Sequence, residues 1–290
     1  MTEFRLIAVP YEVGAERMGV GLGPERLLEA GAEDALRAHG ADVRLDFVEL
    51  REHDRDRSGA SEAGAGFELI GLVAERVRDA LADGAFPVLL SGSCFAGLGM
   101  VTGLGESSPG VIWFDAHGDF NTPESTIDGY FDGMPVAILT GSAWPNLIEG
   151  AEVATVPETA VLHVGARDFD PLEERRLESS ELVRLPTDEI EADDAVASAV
   201  ERLTPRPSGL YLHVDLDVLD SSEARVNIYS VGGGLTADQL EAQVRAVLDA
   251  GPVRGLSLTA YDPGVDEEDE VPPIAIRLLR ALAERRAREQ

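Results

Sequence analysis

The 290-residue chain reads as an α/β protein: a parallel sheet with helices on both faces. Three observations predict this. Short β-rich apolar runs recur along the chain. Stretches with helical spacing of apolar residues lie between most of them. Acidic residues cluster directly after two of the runs, at the strand ends where such sheets bind ligands. The length and the 44% hydrophobic content suit one domain, 1–290, with a sizeable core.

The first strand is Leu6–Val9, followed by a helix over Pro24–Ala38 with proline in its first turn. Val43–Val48 is the next strand. Arg51–Gly66, rich in charge, serine and glycine, reads as a loop, and Glu62–Leu81 as a helix. Phe86–Leu90, Gly110–Phe114, Ala160–Val164 and Leu182–Leu185 are further strands. Asp188–Leu203 has helical spacing, and Leu210–Val214 is again a strand. Gly232-Gly233-Gly234 is a turn before a helix over Thr236–Leu248. It lacks the strand and spacing of a dinucleotide loop. Val253–Leu258 is the last strand. The acidic run Asp266–Glu270 reads as a solvated loop, and Pro272–Arg286 as the last helix.

Arginine alone supplies the 24 basic charges, against 54 acidic ones, for a net charge of −30. Such a surface repels phosphates and anionic membranes, which excludes nucleic acid and membrane as primary partners. No window approaches the roughly 18 apolar residues of a membrane span. Met1–Pro10 lacks the basic and apolar blocks of a signal peptide. Cys94 is the only cysteine, so no internal disulfide forms, and the expected address is a reducing cytoplasm.

The chemistry concentrates in three places. Asp115-Ala116-His117-Gly118-Asp119 follows one strand, and alternation in an extended segment lets Asp115, His117 and Asp119 converge. His213-Val214-Asp215-Leu216-Asp217 repeats the pattern, with Asp215 and Asp217 sharing a face. Carboxylates held so close repel unless a cation lies between them, and this donor set suits one or two divalent cations. Ser91-Gly92-Ser93-Cys94 places a thiol at a turn from strand to helix, where a helix start lowers a thiol pKa. From these residues alone, Cys94 is equally well a small buried hydrophobe.

These segments resemble the ureohydrolase superfamily of arginases, agmatinases and formimidoylglutamases. Asp115 to Pro123 is similar to its first aspartate–histidine–aspartate signature and His213 to Asp220 to its second. Gly165-Ala166-Arg167-Asp168 and Gly19 to Pro24 resemble further landmarks, so the likeness spans nearly the whole chain. The resemblance implies a three-layer α/β/α sandwich around an eight-stranded, mainly parallel sheet. It also implies two manganese ions bridged by Asp115 and Asp215. One ion also takes His117 and Asp217; the other takes Asp119 and the residue at position 94. A hydroxide between the ions attacks a guanidine or amidine carbon. Asp119, with His117, is assigned to catalysis as well as to metal, Asp119 orienting the hydroxide. Family members often form trimers or hexamers, so a homo-oligomer is also implied.

The sequence departs from that family at three points. Cys94 stands where the family has histidine, which adds charge and softness and turns preference towards Zn2+ or Fe2+. Asp132 stands in place of a proton-shuttling histidine. With an ordinary pKa it is a poor acid near neutrality, and a solvent-exposed aspartate is the simpler reading. Ala260 stands in place of the glutamate that grips the guanidinium, leaving Asp262, Asp266 or Asp128 to substitute. Asn121, Asp128, Asp132 and Asp262 are the candidate substrate contacts. Cys94 and the stretch from Asn121 to Met134 resemble the Nω-hydroxy-arginine amidinohydrolase of D-cycloserine biosynthesis, which has cysteine at this position but keeps the glutamate. Two alternatives stay open: a non-catalytic metal-binding protein, and a mononuclear metal deacetylase.

The remaining candidates read as structural. His39 and His53 face solvent, and His163 is a satisfied core histidine. His213 supports the second cluster, Arg167-Asp168 is an ion pair, and Asp220 caps a turn. The basic stretch Arg277–Arg288 belongs to a solvated terminal helix.

Overall fold

The computed structural model describes residues 2–50, 59–105, 109–205 and 208–289. Its strands are β1 (Glu3–Val9), β2 (Tyr11–Glu12), β3 (Ala15–Glu16), β4 (Asp42–Phe47), β5 (Phe86–Ser91), β6 (Gly110–Phe114), β7 (Val161–Val164), β8 (Val183–Leu185), β9 (Leu210–Asp215) and β10 (Val253–Thr259). Its helices are α1 (Gly23–Glu29), α2 (Ala32–Arg37), α3 (Gly59–Ala82), α4 (Gly97–Leu104), α5 (Pro135–Leu139), α6 (Pro145–Gly150), α7 (Pro171–Ser179), α8 (Ala195–Val200), α9 (Ala237–Ala250) and α10 (Val271–Ala287).

Eight strands form one parallel sheet in the order β4-β1-β5-β10-β9-β6-β7-β8, and each contains or overlaps an expected run. The central strands are buried on both sides, which is why they read as continuous apolar runs rather than alternating ones. Phe4, Leu6, Leu90, Ile112, Phe114, Leu212 and Val214 face one core, closed by α1, α2, α8, α9 and α10. Ile7, Val9, Leu89, Val111, Trp113 and Tyr211 face the other, closed by α3, α4, α5 and α7. The fold is therefore the expected three-layer sandwich.

The helices depart from expectation where local chemistry overrides apolar spacing. Pro24–Ala38 is not one helix: Gly31 takes φ 98°, separating α1 from α2. The loop read over Arg51–Gly66 is helical from Gly59 onward, and its first part, with His53, lies outside the described residues. Asp188–Leu203 is helical only over α8 and a short turn before it. Asp266 is buried rather than solvated: its carboxylate accepts from Tyr261 Oη and from the Glu270 and Val271 N–H groups, fixing the start of α10. Arginines of α10 pair within the chain, Arg277 with Asp238 and Glu241, and Arg285 with Asp249. Among the described residues, no helix is long and apolar enough to cross a membrane.

Candidate metal centre

Four neighbouring strands, β5, β10, β9 and β6, end on one edge of the sheet and deliver the site. Phe114 of β6 and Val214 of β9 are register partners, so the next residues, Asp115 and Asp215, emerge beside each other. Each then makes the same turn. Asp115 Oδ1 accepts the His117 N–H at 2.7 Å, and Asp215 Oδ1 accepts the Asp217 N–H at 2.8 Å. Such aspartate turns fold the residue two places on back towards the first carboxylate. The turn after β5 brings Cys94 to the same edge at the start of a short helical turn leading into α4.

The result is two overlapping groups. Cys94, Asp115 and Asp215 offer ligand atoms within 4.8 Å of one another, and so do Asp115, His117 and Asp217. Asp115 belongs to both. Asp119 is buried at φ 50°, and its Oδ2 has no hydrogen-bond partner among the described residues. An orphaned carboxylate oxygen among other buried carboxylates is costly until a cation meets it. Carboxylates with one imidazole suit manganese, and the thiol adds a donor that suits zinc or iron. The residues fit one or two divalent cations.

The electrostatics of these residues point the same way. Burial raises Asp115, Asp119 and Asp215 above the usual carboxylate range; neighbouring carboxylates add to this for each, while His117 works against it at Asp115 and Asp119. Burial opposes charge on His117, yet Asp217 and Asp115 push its pKa up to about 12. Burial likewise opposes ionisation of Asp217, but His117 and Asn227 hold it well below its ordinary value. Cys94 differs from expectation. Burial, then the Asp215, Asp119, Asp132 and Asp115 carboxylates, push its thiol up. The N–H groups that could have lowered it are taken by Asp132, whose carboxylate accepts from Cys94 at 3.1 Å and Phe95 at 2.8 Å.

Asp132 is thus buried rather than solvent-exposed, and burial pushes its pKa up to about 7, away from the ordinary value expected for it. Asn121 is buried too: Oδ1 accepts from Ser125 Oγ and Nδ2 donates to Asp170. Asp128 lies in an exposed turn, its Oδ1 accepting from Tyr130 N–H and Thr126 Oγ1. Asp262 accepts the Gly264 N–H and acts electrostatically on the half-buried Glu12. Ala260 takes φ 65°, and its N–H donates to the Gly92 carbonyl, so no carboxylate occupies that place.

Arg167 does not hold its place by pairing with Asp168: its guanidinium donates to the carbonyls of Gly165, Asp217, Leu219, Val231 and Gly232. His163 is buried, but both ring nitrogens lack partners among the described residues, and burial lowers its pKa to about 3. His39 is exposed, and Asp220 caps its turn by accepting from Ser222, Gly233 and Gly234. Two functional positions escaped the sequence reading. Asn227 Nδ2 donates to Asp217 Oδ2 and to the Ala260 carbonyl, both at 3.0 Å. The buried Glu173 accepts the Phe120 and Asp170 N–H groups and anchors the segment after Asp119. Asn227 lies in an irregular loop, where no periodicity marks it. Glu173 carries a signal, since Asp170 and Glu173 form a capping box at α7.

The arginase family profile matches residues 2–283. An arginase from Bacillus caldovelox is 29% identical over 295 residues, covering 97% of this chain and 98% of that protein. The solved structure of Bacillus caldovelox arginase superposes with a TM-score of 0.87 at 27% identity, covering 97% of this chain and 98% of that one. Bacillus cereus arginase gives a TM-score of 0.85 at 27% identity, with the same coverage. With the eight-stranded sheet and the paired acidic strand ends, this match places the chain in the arginase family.

Proposed function

We propose that the chain is a binuclear metal hydrolase of C–N bonds in linear guanidines or amidines. The observation that carries this reading is the pair of ligand groups sharing Asp115, beside the unpartnered Oδ2 of Asp119. Asp115 and Asp215 would serve both ions, with His117 and Asp217 completing one position and Cys94 and Asp119 the other. Manganese is the proposed metal, with zinc or iron as the alternatives that Cys94 favours. When bound, two such ions supply Lewis acidity and acidify an attacking water.

The chain's own residues do the rest. Asp119, besides holding the ion, would accept a hydrogen bond from the attacking water through its carboxylate and orient it. Asp132 fixes Cys94 from behind. Asn121, through Asp170 and Ser125, fixes the segment that follows Asp119. Asp262 and Asp128 remain the proposed contacts for a polar or cationic substrate end. With alanine at position 260 in place of a charge-gripping glutamate, a weakly basic guanidine or amidine, a hydroxyguanidine among them, fits better than arginine. A reducing cytoplasm and a homo-oligomer belong to the same reading.

The test is a panel of guanidino compounds, assayed for urea or hydroxyurea release, and of amidines, assayed for the amide or ammonia released, with metal content measured by elemental mass spectrometry. Two ions per chain with turnover support the reading. Two ions without turnover on a broad panel favour a non-catalytic binder. One ion, with acetate released from an added acetylated amine, favours a deacetylase.

A further inference from the structure

Behind Cys94 runs a buried line of polar side chains that the proposed chemistry does not use. Cys94 Sγ lies 3.1 Å from Thr259 Oγ1, and Thr259 Oγ1 lies 3.2 Å from His213 Nε2. His213 Nδ1 lies 3.1 Å from the Tyr211 hydroxyl, which lies 2.6 Å from Ser257 Oγ. All five residues are buried. His213 stacks on Trp113 with centroids 3.5 Å apart and planes 6° from parallel, while Trp113 Nε1 donates to Asp115 Oδ2 at 3.1 Å. On its far side the line is closed by Gly97: a β-carbon there would come within 2.7 Å of His213 Nδ1 and 2.8 Å of the Tyr211 hydroxyl.

Proton counting gives the line a direction. A hydroxyl donates once, and a neutral imidazole has one N–H and one lone pair. If every contact in the line is a hydrogen bond, the line runs either towards the sulfur or away from it. Running away would need the Cys94 proton to go to Thr259, but that proton goes to Asp215 Oδ2 at 2.8 Å. The line therefore runs towards the sulfur. In that arrangement Ser257 would donate to Tyr211, Tyr211 to Nδ1, Nε2–H to Thr259, and Thr259 to Cys94 Sγ. The other acceptor near Thr259, the Val214 carbonyl, is more distant at 3.4 Å.

A sulfur that ligates a cation has shed its proton and can only accept hydrogen bonds. We propose that this line positions the Cys94 sulfur as a metal ligand, with Thr259 as the donor to it and His213 as the residue that fixes Thr259. The inference rests on Cys94 being a ligand. Thr259 and His213 are positioning residues: they act through Cys94.

The test uses the full chain loaded with cobalt(II) and reads the thiolate-to-cobalt charge-transfer band in the near ultraviolet. A hydrogen bond to the sulfur lowers its lone-pair energy, so losing that bond moves the band to longer wavelength. Thr259→Val is expected to give this red shift and to weaken cobalt binding roughly 10- to 100-fold, as loss of a ligand's supporting partner does. Thr259→Ser restores both. Tyr211→Phe, remote from the ion, gives a smaller shift in the same direction and carries the test if Thr259→Val does not fold. An unmoved band in Thr259→Val and Tyr211→Phe, with cobalt bound, overturns the proposal. No such band in the unsubstituted cobalt protein overturns the reading of Cys94 as a ligand, and this inference with it.

Discussion

Asp132 and Cys94 stand 38 residues apart in sequence, yet the Asp132 carboxylate accepts the Cys94 N–H at 3.1 Å and the neighbouring Phe95 N–H at 2.8 Å. One side chain thereby closes the start of the helical segment that presents the thiol, in a place where water cannot substitute.

Removing that acceptor strands two buried donors. An unsatisfied buried N–H costs about 1–3 kcal/mol, so Asp132→Ala is expected to destabilise the chain by about 3 kcal/mol. Asp132→Asn keeps one carbonyl oxygen and loses about half as much. Urea denaturation of the three proteins in chelator measures this. Equal stabilities would show that the two N–H groups find other partners.

Asn227 makes a comparable bond at the other ligand group, donating to Asp217 Oδ2 at 3.0 Å. A carboxylate ligand left without its orienting donor loses about 10- to 100-fold in metal affinity. Asn227→Ala is therefore expected to retain fewer ions per chain after dialysis, with unchanged helix content by circular dichroism. Full retention would remove Asn227 from the account of the site.

These two residues also show where sequence reading ends. The sheet was legible because buried parallel strands carry apolar runs bounded by turn chemistry, and Asp115, His117, Asp215 and Asp217 stood out because they follow two such runs. Residues that act across the chain left no local trace. Asp132 looked like an exposed loop residue because its partners are donors on another element. The direction of the Cys94 shift was misread for the same reason: burial and carboxylates from other elements, not the local helix start, decide it. The break between α1 and α2 is different, since Gly31 was visible but an uninterrupted apolar spacing outweighed it.

Glu173 gives the chain a pH dependence of defined sign. Burial pushes its pKa up to about 7 from an ordinary value of 4.5. The folded state therefore holds this proton over a window in which the unfolded state has lost it. Stability from this group is complete below 4.5 and is lost as pH rises through 7, by about 3 kcal/mol at most. Glu173→Gln cannot ionise. It is expected to flatten the fall in unfolding free energy between about pH 5 and about pH 8, while losing one acceptor for the Phe120 or Asp170 N–H. Parallel pH profiles for the two proteins, measured in chelator, would show that Glu173 titrates normally.

The thiol at position 94 sets the last prediction, which concerns metal choice. Within 4.8 Å of one another, the ligand atoms of Cys94, Asp115 and Asp215 offer one soft and two hard donors. Manganese prefers oxygen and imidazole, whereas zinc and iron accept thiolate readily. Cys94→His replaces an anionic soft donor with a neutral borderline one and removes one negative charge from a crowded site. The ratio of manganese to zinc retained after dialysis against an equimolar mixture is expected to rise about tenfold, within the range seen for changes around a metal ligand. Cys94→Ala offers no donor and is expected to drop towards one ion per chain, leaving the position formed by Asp115, His117 and Asp217. An unchanged ratio in Cys94→His, with two ions still held in Cys94→Ala, would mean that the second ion is held without position 94. Asp119, whose Oδ2 has no other partner among the described residues, would then be its principal ligand.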